Sequence, residues 1–227
     1  MPDALMIFAA GLGTRMRPLT ETRPKPLIHV GGQTLLDRAI ALGRAGGARR
    51  VVVNTHYLAR MIADHLAGSD VAISHEPGPV LETGGGLRQA LPLLGAGQGA
   101  VLTLNPDVVW TGANPVAGLR AAWDGARMDA LLMLVPLARA TARTGGGDFA
   151  QDDAGRIGRG GDLVYGGAQI INPALLETIP EAAFSLNRCW DAAIARGRAF
   201  GLIHPGGWCD VGRPDTIPLA EALLANG

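Results

Sequence analysis

The stretch Ala4 to Leu27 reads ALMIFAAGLGTRMRPLTETRPKPL. Its first seven residues, Ala4 to Ala10, are a short apolar run of the kind that forms a buried strand. The run passes directly into a loop carrying Gly11 and Gly13. In open α/β sheets the loops leaving the carboxyl ends of strands are where ligands sit. Glycines there let backbone N–H groups approach an anion without a Cβ in the way. A dinucleotide fingerprint would need a third glycine at position 16, which is Met, and a helix that Pro18, Pro24 and Pro26 forbid. A Walker loop would need Gly-Lys-Ser/Thr after four residues, which is absent. The segment is therefore expected to be a long extended excursion presenting Arg15, Arg17 and Lys25.

Lys25 is the only lysine among 20 basic residues. Pro24 and Pro26 restrain its backbone, which lowers the freedom lost in positioning the ammonium group. A compact charge that can follow a moving phosphate is what Lys supplies better than planar Arg.

Outward from this stretch, 227 residues with 48% hydrophobic content suit one compact domain. The formal charge is zero and no basic or aromatic-interleaved run occurs, which argues against nucleic acid or a membrane surface as partner. Two cysteines, Cys189 and Cys209, no signal-peptide pattern and no apolar run near the roughly 20 residues of a membrane span imply a soluble cytoplasmic protein. Strand-like runs (49–54, 70–75, 100–105) alternate with helical patterns (34–46, 58–68, 86–94), which predicts an α/β fold with a parallel sheet covered on both faces. After Asp129 the pattern becomes mixed. A buried strand at 130–137 precedes a polar, glycine-rich stretch, with a hairpin turning at Asp153 to Gly155. Strand 163–173, helix 186–198, strand 199–204 and helix 213–226 complete the chain. The division is about 1–128 and about 129–227, within one domain.

Two carboxylates stand at strand ends. Asp107 follows the 100–105 run, where capping a loop is the competing role, and Asp210 follows the 199–204 run between glycines. Chemistry on phosphates commonly uses a divalent cation held by a few such groups and the substrate's own phosphates. Cys209 reads as a buried structural thiol, and the five histidines have no zinc spacing. Thr83 to Gly86 precedes a helix. Three consecutive glycines cost backbone entropy, so close approach of a flat ligand is expected besides helix-start chemistry.

The combination Gly-Leu-Gly-Thr-Arg (Gly11 to Arg15) with Pro24-Lys25-Pro26 ten residues on resembles the signature of the sugar-1-phosphate nucleotidyltransferases. That resemblance implies a Rossmann-like (GT-A-like) mixed, mostly parallel sheet between helices, with a small β-rich sugar-binding subregion. It implies Arg15 and Lys25 as catalytic residues, and Asp107 and Asp210 as ligands of Mg²⁺. Ala9, Ala10, Gly11, Gly13, Thr14 and Arg15, with Thr83, Gly84 and Gly85, would bind the nucleotide. Asn105, Gly147, Asp148, Tyr165 and Asn187 would bind the sugar. The spellings LETGGGL, NPDV, FSLN and GGWCDVG most resemble the branch that joins UTP to N-acetylmuramic acid 1-phosphate in cell-wall recycling. Guanylyl transfer to mannose 1-phosphate and thymidylyl or uridylyl transfer to glucose 1-phosphate are the alternatives. A non-catalytic nucleotide-sugar binding module is the alternative of another class. Two departures stand out: Pro106 replaces a glycine, and the family's Glu-Lys-Pro element is missing, leaving Arg143, Arg156 or Arg159 to supply its charge. Arg188 is a further candidate near the sugar.

Overall fold

The computed structural model describes residues 1–95 and 99–227. Four parallel strands form one end of a nine-stranded sheet, in the spatial order Val101–Leu104, Ala4–Phe8, Arg50–Thr55 and, at the edge, Ala72–His75. The long strand Leu163–Ile171 pairs antiparallel with Val101–Leu104 on one side and with Ala130–Pro136 on the other. Ala130–Pro136 pairs in turn with Ala199–Ile203, and the hairpin Phe149–Gln151 and Ile157–Arg159 attaches at Leu163. This is the expected mixed, mainly parallel sheet, carried without interruption from the first half of the chain into the second.

Alternate residues of one strand enter opposite cores, because side chains alternate across a pleated strand. Leu5 and Ile7 pack with Leu36, Val116 and Leu119 on one face, while Ala4 and Met6 pack with Leu87, Ala90 and Ala193 on the other. Helices Leu35–Ala45 and Pro115–Ala122 therefore cover one face, and Glu82–Leu94 and Asn187–Ala195 the other. Helix Pro115–Ala122 has no counterpart in the sequence reading. Asn114 caps it, its Oδ1 accepting from Val116 N (2.9 Å) and Ala117 N (3.0 Å), with Pro115 opening the first turn.

A second sheet of three short strands, Val108–Trp110, Trp208–Asp210 and Ala140–Thr141, sits beside the first. With the closing helix Ile217–Asn226 it forms a third core of Met16, Ile28, Val109, Cys209, Val211 and Ala220. No described helix is long and apolar enough to cross a membrane.

Candidate active site

Strands Ala4–Phe8 and Val101–Leu104 are parallel neighbours, so their carboxyl ends lie on the same edge of the sheet. That topology brings the loop after the first strand beside Asp107. The small sheet does the rest: Asp210 pairs across from Val108, and Val211 N donates to Asp107 O at 2.9 Å. Two carboxylates about a hundred residues apart in sequence thus become neighbours. Burial first, and then the charge of Asp107, pushes the Asp210 carboxyl above the usual range, with Lys25, Arg15 and Arg143 pulling the other way.

The excursion from Gly13 to Leu27 is less extended than its prolines suggest. It contains two single-turn helices, Thr14–Met16 and Lys25–Leu27, since Pro26 is compatible with the first turn of a helix. The second turn projects Lys25 so that its Nζ donates to Asp107 Oδ2 at 2.6 Å, with side chains only 12% and 30% exposed. At that depth the pair is screened less than a surface ion pair.

Gly13 and Gly11 serve different ends. Gly13 has φ +61°, and a Cβ there would lie 3.0 Å from Lys25 Cβ and Thr20 Cγ2, so its absence seats the lysine stem. Gly11 is exposed and faces open space. Gly11 and Gly13 line a cavity, and their N–H groups find no acceptor among the described residues, leaving two backbone donors beside it. The loop's base is fixed by a buried network: Ala9 N donates to Asn54 Oδ1 (2.7 Å), Asn54 Nδ2 to Glu76 Oε1 (2.8 Å), and Leu81 N to Glu76 Oε2 (3.2 Å).

Two cavities meet at Arg15 and Asp107. One is lined by Ala9, Gly11, Gly13, Thr14, Lys25 and Pro106, the other by Asn105, Asp148, Tyr165, Asn187, Trp190 and Asp210. A β-bulge at Gly166–Gly167 shapes the second: Asn105 N donates to Gly167 O (2.7 Å) and Trp208 Nε1 to Gly166 O (2.8 Å).

A profile of the MobA-like NTP transferase domain matches residues 5–156. The chain belongs to this family of nucleotidyltransferases. It is 39% identical to an N-acetylmuramate alpha-1-phosphate uridylyltransferase of Caulobacter vibrioides, over 99% of this chain and 98% of the relative. It is 35% identical to the protein of that name from Neisseria meningitidis serogroup B, over 96% of each. A solved UDP-glucose pyrophosphorylase complexed with UDP-glucose shares the fold, with a TM-score of 0.83 at 15% identity, covering 100% of this chain and 99% of that one.

In this nucleotidyltransferase, most of the expected residues converge on the two cavities, but several do not. Ala10 is buried beneath the loop and lines neither cavity, and Arg17 is exposed outside both. Thr83, Gly84 and Gly85 lie within helix Glu82–Leu94 rather than before it, and line neither cavity. The chain's own segment Ala182–Phe184 covers them, with Gly84 N (2.8 Å) and Gly85 N (3.2 Å) donating to Phe184 O and Thr83 Oγ1 accepting from Leu186 N (3.0 Å). Close approach of the chain itself accounts for the glycines at 84 and 85. Gly147 packs against the backbone of Gly161 and Asp162 and is likewise outside the sugar-side cavity. Arg156 pairs with Asp152 at the hairpin turn, and Arg188 with Glu181 (2.7 Å), both away from that cavity.

The sequence reading missed Trp190, Trp208, Asn54 and Glu76. For the last two the signal was present, as polar residues ending the apolar runs RVVVN and AISHE. Pro106 occupies the two-residue turn before Val108 without drawing Asp107 away from Lys25. The thiol of Cys209 is pushed up to about 11 by burial and then by Asp210, which fits a structural cysteine.

Proposed function

We propose that the chain transfers the uridylyl group of UTP to N-acetylmuramic acid 1-phosphate, releasing pyrophosphate, in cytoplasmic cell-wall recycling. One observation carries the reading of the chemistry: the Lys25–Asp107 pair, with Asp210 beside it, stands where a cavity rimmed by free backbone donors meets a cavity lined by polar and aromatic side chains. The two relatives at 39% and 35% identity support the choice of base and sugar. The sugar phosphate oxygen would attack the α-phosphorus in line. Arg15 and the Gly11 and Gly13 donors would hold the departing pyrophosphate, and Lys25 would follow the phosphoryl oxygens as charge moves to the leaving group.

Asp107 and Asp210 also fit Mg²⁺. The described residues contain no cluster of three or more metal-binding side chains, yet Mg²⁺ is commonly held by one or two carboxylates plus substrate phosphates. Burial and then the neighbouring Asp107 charge raise the Asp210 carboxyl, so a cation held by the two carboxylates would relieve both. When bound there, Mg²⁺ would neutralise phosphate charge as a Lewis acid.

The test is pyrophosphate release with Mg²⁺, crossing four nucleoside triphosphates with the 1-phosphates of N-acetylmuramic acid, N-acetylglucosamine, mannose and glucose. The expected best pair is UTP with N-acetylmuramic acid 1-phosphate. Absence of turnover with every pair overturns the enzymatic reading, and preference for another pair overturns the substrate. Lys25→Ala is expected to lower kcat about a hundredfold or more, the usual order for removing one transition-state charge. An unchanged kcat would remove Lys25 from the chemistry.

A further inference from the structure

This inference rests on the substrate reading above. N-acetylmuramic acid 1-phosphate differs from N-acetylglucosamine 1-phosphate by a lactyl ether, and so carries a carboxylate on that substituent, away from the phosphate. The sugar-side cavity holds three arginines, Arg15, Arg143 and Arg159, more than a single phosphate beside Lys25 requires.

Their positions divide them. Arg15 also lines the nucleotide-side cavity. Arg143 Nη2 donates to Asp148 Oδ1 (2.7 Å), whose Oδ2 accepts from Tyr165 N (2.9 Å), and its charge acts on Asp210. Arg143 therefore belongs to the phosphate end. Across the cavity floor the Tyr165 ring meets the Trp190 ring edge-on at 4.7 Å, and beyond Trp190 stands Arg159. Its guanidinium carbon lies 5.6 Å from the Trp190 ring centre and 5.0 Å from that of Phe149. Nε donates to Asp191 Oδ1 (2.7 Å) and Nη2 to Asn187 O (3.0 Å). Nη1 has no acceptor among the described residues.

We propose that Arg159 determines sugar specificity by binding the carboxylate of a carboxylate-bearing sugar 1-phosphate through the outer edge of its guanidinium. Two aromatic rings fix the plane, and Asp191 and the Asn187 carbonyl fix the rotation, so little side-chain freedom is lost on binding. Planar, two-point recognition of carboxylate is what Arg provides and Lys does not. Of the carboxylates nearby, Asp148 is engaged by Arg143 and the Tyr165 N–H. Asp191 is 59% exposed, so solvent screens its competition for the guanidinium.

The test is steady-state kinetics of the full chain with UTP and Mg²⁺, comparing the parent with Arg159→Met and Arg159→Lys on both amino-sugar 1-phosphates. For Arg159→Met the expected kcat/KM on N-acetylmuramic acid 1-phosphate falls roughly ten- to a hundredfold, mainly through KM, the span of one lost charge-assisted hydrogen bond. On N-acetylglucosamine 1-phosphate it stays within about twofold, and Arg159→Lys falls between. If that turnover is too slow to measure, calorimetric binding of the two UDP-sugars gives the same comparison and reports folding of the variant. Equal losses on both sugars, or none on either, overturn the proposal. A parent enzyme that prefers N-acetylglucosamine 1-phosphate, or turns over neither, instead overturns the substrate reading, and the carboxylate role falls with it.

Discussion

Asp210 carries opposing demands. Its carboxyl is held above the ordinary 3.8 by burial and by Asp107, so the folded state takes up a proton more readily than the unfolded chain. A carboxyl raised in this way favours folding most below its unfolded value, and that contribution is lost as pH rises through the folded value. Asp210→Asn is thus expected to melt at higher temperature than the parent at pH 7 without metal or nucleotide. The difference should shrink as pH falls toward about 4, the parent group's ordinary range. Transfer activity should drop by about a hundredfold or more in the same variant, an exchange of function for stability common at such sites. Thermal melts across pH, with pyrophosphate release alongside, check both halves; a variant less stable than the parent at pH 7 would contradict them. At this scale the meeting of Lys25, Arg15, Asp107 and Asp210 was legible in the sequence, because a glycine loop and two strand ends point to one edge of a parallel sheet. Trp190 was not, because nothing in a helical pattern tells which face meets a cavity and which a core.

At the scale of elements, helix Glu82–Leu94 opens with Gly84, Gly85 and Gly86, all buried, where alanine would ordinarily favour a helix by about 1 kcal/mol each. Here a Cβ on Gly85 would strike Ala182 O, and one on Gly84 the Phe184 ring. Gly85→Ala is expected to destabilise by about 1–3 kcal/mol, as overpacking does, despite the gain in propensity. Its urea midpoint should fall while KM for nucleotide in the folded enzyme changes little. A raised KM with unchanged stability would restore the ligand-contact explanation. The glycine run was visible in the sequence, but the partner 100 residues away was not, and composition alone cannot separate the two causes. Helix Pro115–Ala122 shows the opposite lapse. Its Asn-Pro start was readable, yet the short patch Val116 and Leu119 gives little periodicity.

For the whole molecule, strand Leu163–Ile171 belongs to the second half of the chain yet pairs with Val101–Leu104 of the first. The small sheet repeats the stitch through Trp208–Asp210 and Val108–Trp110. Neither half retains its sheet edge without the other, so melting followed by far-ultraviolet circular dichroism and by tryptophan fluorescence is expected to give one coincident transition. Separate transitions would mark two independent units. The alternation of runs made the parallel half legible; the antiparallel graft and the third core were not, because pairing between distant short strands leaves no local pattern. The same architecture has a chemical consequence. The chain owns one ε-amino group, and the fold half-closes it against Asp107. Apart from the α-amino group, the one primary amine in this sequence stands at the proposed reaction centre. On the proposed function, one adduct per chain at Lys25 counts active sites, and a bound triphosphate is expected to lower the count.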